Sequence, residues 1–368
     1  MALQRITAAQ AIGTLREFDA VIDARSQSEF AEDHLPGAVN WPTLDDAERE
    51  LIGTEYKQIS AFDARKRGAA LAARNIAAHI EQHVQALPQR WRPLVYCWRG
   101  GQRSGSLATV LAAIGFNVAV LEGGYREFRR AVLKDMESLP TTLKYRVLCG
   151  RTGSAKSRLL QTLQAQGAQV LDLEALACHK GSVLGPLPGQ PQPGQKAFET
   201  AVWSALRQFH PERAVFVESE SRTVGRLRVP ERLLEQMRAA PCVEVQLPLA
   251  ERVDFLLEDY AHFVQDTELF CQRLSALTEV RGAQQVAAWQ ALARQASSQD
   301  QAPLAQVVQE LLLQHYDPVY LRSMQRNYTL FSQASELKLE NARQSTLKAA
   351  VAELLAPPAL EVQALKKR

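Results

Sequence analysis

Pro93-Leu94-Val95-Tyr96-Cys97-Trp98-Arg99-Gly100-Gly101-Gln102-Arg103-Ser104 reads as a short buried strand that runs into a tight loop and out into a helix. The helical pattern from Ser104 to Ile114 closes at Gly115, and Asn117-Val118-Ala119-Val120-Leu121 is the next strand. Strand, loop, helix and strand in that order imply a parallel sheet, with the loop at the carboxyl edge where such sheets bind ligands. Working outward, Phe18 to Asp23 is another short apolar run ending in a carboxylate.

A loop of this kind turns backbone N–H groups inward, and the helix N-terminus adds partial positive charge. Such a nest favours a thiolate at Cys97 and an oxyanion bound above it. Gly100 and Gly101 permit the tight path, Arg103 offers a guanidinium fork, and Ser104 opens the helix. A buried cysteine at a strand end, taken singly, is usually structural. The glycines, arginine and serine behind Cys97 mark it instead as a carrier of sulfur or selenium.

About fifty residues later a second loop follows a second strand. Tyr145 to Cys149 is the strand, Gly150-Arg151-Thr152-Gly153-Ser154-Ala155-Lys156-Ser157 the loop, and Lys156 to Gln166 the helix. The spacing is that of a phosphate-cradling Walker A loop, with Lys156 neutralising phosphate charge and Ser157 holding a metal or a phosphate oxygen. Ala155 stands where a glycine normally precedes the lysine, which weakens the case for ordinary ATP use. Val170 to Leu173 and Ala214 to Val217 are further strands. Glu218 and Glu220, just past the latter, form a pair suited to hold a metal or position water, and read equally well as a solvated strand end. The Gly/Pro-rich stretch Gly181 to Gly194 is a loop near this site. From Leu249 the pattern is mostly helical, including a helix through Leu304 and Leu312 that should stop before Pro318, and Lys366-Lys367-Arg368 should fray.

A chain of 368 residues is long for one core. The expected division is an α/β domain over 1–135, a linker over 136–144, a P-loop α/β domain over 145–248 and a helical extension over 249–368. The five cysteines are odd in number and scattered, which argues for a reducing cytosol rather than a disulfide scaffold, and no CxxC pair supports a zinc ribbon. No stretch approaches the roughly 20 apolar residues of a membrane helix, and the N-terminus lacks a signal-peptide core. The formal charge of +3 is compatible with an anionic partner without requiring one.

The first stretch resembles the rhodanese family. The matching residues are Ile22-Asp23-Ala24-Arg25, Glu29-Phe30, His34-Leu35-Pro36-Gly37-Ala38-Val39-Asn40, the Cys97 loop and Leu121-Glu122-Gly123-Gly124-Tyr125. Arg103 lies six positions after the cysteine, whereas many single-domain sulfurtransferases place it five after; the longer spacing is similar to phosphatase-like loops that enclose a larger group. His34 reads more readily as a turn former than as a chemical group.

Over nearly its full length the chain resembles the tRNA 2-selenouridine synthase family. Leu171-Asp172-Leu173-Glu174, His179-Lys180-Gly181-Ser182, Glu218 to Arg222 and His315-Tyr316-Asp317-Pro318 add to the two loops. The resemblance implies a cytoplasmic transferase acting on wobble 2-thiouridine in tRNA. Geranyl diphosphate first alkylates the sulfur, and selenium from selenophosphate then replaces it. Cys97 and Arg103 would be catalytic, with Trp98, Arg99, Gly100, Gly101, Gln102 and Ser104 shaping their loop, and Gly150 to Ser157 would bind diphosphate. No tightly bound cofactor is expected, with Mg2+ the candidate metal. The partners would be a tRNA anticodon stem-loop, contacted by Arg126, Arg129, Arg130, Lys134, Arg222 and Arg226, and, transiently, an enzyme that supplies selenophosphate. Two other readings stay open: a rhodanese-type sulfurtransferase or phosphatase-like enzyme fused to a kinase-like nucleotide domain, and a regulatory protein whose P-loop senses a nucleotide.

Overall fold

The computed structural model describes residues 3–182, 184–297 and 299–356, so Lys366-Lys367-Arg368 lies outside the described residues. The chain forms two compact units, Met1–Ser138 with Pro193–Ser204, and Leu139–Gln192 with Ala205–Arg368. It is mixed α/β throughout.

The first unit is built on five parallel strands: β1 (Gln4–Ile6), β2 (Ala20–Asp23), β3 (Ala38–Asn40), β4 (Pro93–Tyr96) and β5 (Ala119–Leu121). Their spatial order is β1-β5-β4-β2-β3, which puts β4 and the Cys97 loop at the centre. Central strands are covered on both faces, which is why β4 is buried at every position. Helix Gln102–Ile114 lays Leu107, Ala108 and Leu111 against Ile22 and Val95 and ends on Gly115 at φ 118°, a left-handed cap that glycine adopts without strain. A 23-residue helix, Ala61–His83, adds Ile76 to the same core.

The segment Pro193–Ser204 belongs to this unit although it lies far along the chain. It carries most of helix Gln195–Leu206. Thr200 donates to Asp33 at 2.9 Å, Trp203 donates to Asp135 at 3.0 Å, and Trp203 meets Phe128 edge-on.

The second unit holds β6 (Lys144–Cys149), β7 (Gln169–Leu171), β8 (Ala214–Glu218), a ribbon of β9 (Thr223–Val224) and β10 (Leu227–Arg228), β11 (Cys242–Gln246) and β12 (Ser335–Lys338). Its main sheet is again parallel, ordered β12-β11-β6-β8-β7. β6, which feeds the phosphate loop, is the central strand. The expected strand over Val170–Leu173 ends at Leu171, because the Asp172 side chain accepts from Ala175 N–H at 2.8 Å and starts a short helix instead. The region after Leu249 is mostly helical but not an appendage: β12 returns as an edge strand, and helix Gln344–Leu355 places Leu347 and Val351 against Leu159 and Leu163. Pro318 does not end helical structure either. It sits in the first turn of helix Asp317–Asn327, where a missing N–H costs nothing, behind a π-helical turn over Leu312–Tyr316.

Candidate functional site

Each unit presents one loop at the carboxyl end of its central strand. In the first, Cys97 is buried and the Ser104 hydroxyl donates to its Sγ at 3.1 Å. Gly101 heads the following helix with no side-chain cap, so the first-turn N–H groups are left for a ligand. The loop after β5 forms the floor. Tyr125 N–H donates to the Cys97 carbonyl at 2.8 Å, Arg126 N–H donates to the Trp98 carbonyl at 3.1 Å, and Trp98 stacks on Tyr125. A Cβ on Gly124, at φ 62°, would lie 2.2 Å from the Cys97 carbonyl, so only glycine allows this approach.

Arg103 directs its fork to Glu29, at 2.6 and 3.4 Å, and Arg49 reaches the same carboxylate at 3.1 Å. Burial raises the Glu29 pKa, yet its hydrogen bond to Arg103 and the charges of Arg103 and Arg49 hold it below the usual carboxylate value. Beneath the loop, buried Arg25 pairs with Asp23 at 2.6 Å and lies over the Tyr125 ring. His34 Nδ1–H donates to the Phe30 carbonyl at 2.9 Å, and the ring stacks on the Phe30 ring, consistent with a turn former.

In the second unit the Gly150 loop closes on a cleft of about 580 Å³. Ala155 sits at φ 61°, ψ 24°, the left-handed conformation that a glycine would take there. The loop therefore keeps a phosphate-cradling path despite the methyl. Lys156 Nζ folds back onto the Gly150 carbonyl at 2.8 Å. The loop is also held from outside: Arg252 donates to the Thr152 carbonyl at 2.9 Å and forms a buried two-pronged pair with Asp317 at 2.6 and 2.9 Å, while Gly150 N–H donates to the Tyr320 hydroxyl. The sequence contained no sign that Arg252 serves this loop.

Three carboxylates converge beside Lys156. Oxygens of Glu174, Glu218 and Glu220 all lie within 4.8 Å of one another, and Ser157 donates to Glu174 at 3.4 Å. Burial first, then Glu218 and Glu220, push the Glu174 carboxyl up to about 10; burial and Glu218 push Glu220 up to about 8. Burial likewise raises Glu218, whose Oε1 has no hydrogen-bond partner among the described residues. Such a group of hard oxygen donors suits a Mg2+ ion, whose charge would offset their crowding. Glu218 and Glu220 are thus buried rather than a solvated strand end. Glu174 was missing from the pair expected at the sequence level, although it too follows a strand end by a few residues.

The basic residues fall into two groups. Arg129 is largely buried, held by Glu199 and facing Thr200, so it anchors helix Gln195–Leu206. Arg126, Arg130 and Lys134 are exposed, the first two beside Glu127; Arg222 and Arg226 are exposed, Arg226 donating to the Gln192 carbonyl. No helix among the described residues is long and apolar enough to cross a membrane.

A profile described as the tRNA 2-selenouridine synthase AAA domain matches residues 143–348, and a rhodanese-like domain profile matches residues 7–131. The chain is 31% identical over 352 residues to a tRNA 2-selenouridine synthase of Alcanivorax borkumensis, covering 88% of this chain and 92% of that protein. It is 33% identical over 336 residues to the Chromohalobacter salexigens protein of that name, covering 83% and 88%. The match to the Nitrosomonas europaea protein of that name is 36% identical over 244 residues; it takes in 65% of this chain and spans only 63% of the relative.

Proposed function

Since the chain belongs to the tRNA 2-selenouridine synthase family, we propose that it is a cytoplasmic transferase converting wobble 2-thiouridine in tRNA to 2-selenouridine through an S-geranylated intermediate. The observation that carries this reading is the pairing, in one chain, of a thiol nest at Cys97 with a diphosphate-type loop flanked by buried carboxylates.

The thiocarbonyl sulfur attacks C1 of geranyl diphosphate. A C–S bond forms, the C–O bond breaks, and diphosphate leaves with the electron pair while N3 of the base gives up its proton. Lys156 and the Gly150 to Ser157 amides bear the charge of that leaving group. Mg2+ held by Glu174, Glu218 and Glu220 would supply further positive charge there. The selenium of selenophosphate then adds at C2, the base carbon that bears the S-geranyl group; the C–Se bond forms, the C–S bond breaks, and geranyl thiolate, a better leaving group than the parent thiocarbonyl sulfur, takes a proton and departs. Water then cleaves the P–Se bond, so phosphate is released and selenium stays on C2. Cys97 and the helix N-terminus behind it suit the phosphate-linked selenium donor. The exposed Arg126, Arg130, Lys134, Arg222 and Arg226 supply phosphate contacts to tRNA. A selenophosphate-producing enzyme is the natural transient partner.

The test is incubation of the purified chain with thiolated tRNA, geranyl diphosphate, selenophosphate, ATP and Mg2+, followed by mass analysis of the nucleosides and assay of the ATP remaining. Both the S-geranyl nucleoside and 2-selenouridine are expected. Neither product, with ATP consumed instead, would favour the fused sulfurtransferase and kinase.

A further inference from the structure

The cleft at the phosphate loop is not the only space beside it. A narrow apolar chamber of about 50 Å³ opens from the same wall and shares Thr152, Ser182, Leu256, Tyr260 and Tyr316 with the cleft. Deeper in, it is lined by Leu257, Phe263, Val264, Leu304, Val308 and Leu311. These come from helices Leu249–Asp259, Ala261–Gln265 and Ala302–Leu311, and none of them offers a hydrogen-bonding side chain. The π-helical turn Leu312–Tyr316 divides the two spaces: Leu312 faces the chamber, His315 faces the cleft, and Tyr316 lines both.

An anion cradle that continues into a hydrocarbon-lined slot calls for an amphiphile with a phosphorylated head and an apolar tail. A nucleoside would bury its base and sugar polar groups there without partners, at considerable cost. We infer that this chamber receives the distal isoprene unit of the prenyl diphosphate, with the diphosphate on the Gly150 to Ser157 loop and the first isoprene unit against Leu256 and Tyr260. The inference rests on the proposed use of geranyl diphosphate and adds where its chain lies and why its length matters. A five-carbon chain stops short of the chamber, and a fifteen-carbon chain needs more room than a space of about 50 Å³ offers.

Val308 and Val264 are only partly buried, so Val308→Phe and Val264→Phe fill the slot with little risk to folding. Titration calorimetry with Mg2+ would compare geranyl diphosphate, dimethylallyl diphosphate, farnesyl diphosphate, inorganic diphosphate and ATP. For the wild-type chain, geranyl diphosphate should bind at least about tenfold more tightly than any of the other four, the ratio expected for burying about two methylene groups. Each Phe variant should lose about tenfold toward geranyl diphosphate and stay within about twofold toward inorganic diphosphate. Wild-type affinity for geranyl diphosphate in both variants overturns the inference. So does parallel weakening of both ligands in both variants, which would make the chamber a support for the loop. The same proteins assayed for tRNA alkylation separate the two levels: variants that bind and alkylate like wild type sink the chamber assignment alone, whereas a wild-type chain that prefers ATP and does not alkylate tRNA sinks the reading beneath it.

Discussion

The Cys97 loop and the Gly150 loop are built alike, yet their surroundings are opposite. Each leaves the central strand of a five-stranded parallel sheet and enters a helix whose first turn no side chain caps. Around Cys97 the carboxylates are already matched: Arg103 and Arg49 both lie on Glu29, leaving one positive charge in excess, Arg25 lies on Asp23, and a neutral hydroxyl faces the sulfur. Around the Gly150 loop they are not, since Glu174, Glu218 and Glu220 crowd against Lys156. The same loop shape therefore meets carboxylates held by guanidinium groups in one unit, and in the other three crowded carboxylates beside a single lysine. Backbone shape makes the loop, and the side chains around it decide what it takes.

The sharpest way to break the comparison is to remove the central group of each loop. Cys97→Ala should abolish selenium insertion yet accumulate S-geranyl tRNA. Lys156→Ala should lose roughly 100-fold or more in geranyl transfer, the scale for a lost oxyanion contact, while still converting tRNA supplied already geranylated. Chromatography of digested tRNA reads both, and loss of geranylation in a folded Cys97→Ala protein would mean that one loop serves both steps. The other four cysteines, replaced by serine, should leave selenation measurable.

The next effect concerns how the loops are held. Asp317→Ala strands the buried Arg252 guanidinium under Thr152, at a cost of about 3–5 kcal/mol. Thermal unfolding should show the loss in the transition of the second unit. An unchanged profile would mean that the Gly150 loop, like the Cys97 loop, is held mainly by backbone contacts.

Glu174→Gln tests the charge imbalance itself. The fold holds this carboxyl near 10, above its ordinary 4.5, so the ligand-free fold is favoured at low pH and loses stability as pH rises from 4.5 toward 10. Gln imitates the protonated form. The variant should melt a few degrees higher than wild type at about pH 8, show a flatter decline with pH, and gain less from added Mg2+. A lower melting temperature without metal would contradict the crowding argument.

The smallest expected effect is Ala155→Gly. It relieves a left-handed alanine, worth roughly 1 kcal/mol, partly offset by greater freedom of the unfolded chain. Calorimetry should find stability within about 1 kcal/mol of wild type and diphosphate affinity unchanged. A large gain in ATP affinity would show that the methyl, rather than the carboxylates and chamber, selects the ligand.

Much of this was legible beforehand because each loop is a local object. A strand, a turn rich in glycine and a helix lie within about twenty residues of sequence, and their periodicities identify them. Cys97, Lys156 and Ser157 lie in strand–loop–helix turns as expected, and Glu218 and Glu220 lie at and just past the end of β8. Arg129 does not act as a surface charge, because its partner Glu199 lies 70 positions away. Glu174 reaches Glu218 only because β7 pairs with β8 and β8 with β6. The edge strand Ser335–Lys338 is short and polar, with one buried residue, so no alternation announced it.

By itself, the amino-acid sequence determined the two loops and the strands that feed them, since these depend on neighbours along the chain. Only the tertiary structure decided the third carboxylate, the Arg252–Asp317 brace, the apolar chamber and the place of Pro193–Ser204 in the first unit. Each of these arises from strand order and helix packing that bring together residues far apart in sequence, and such contacts leave no local periodicity to read.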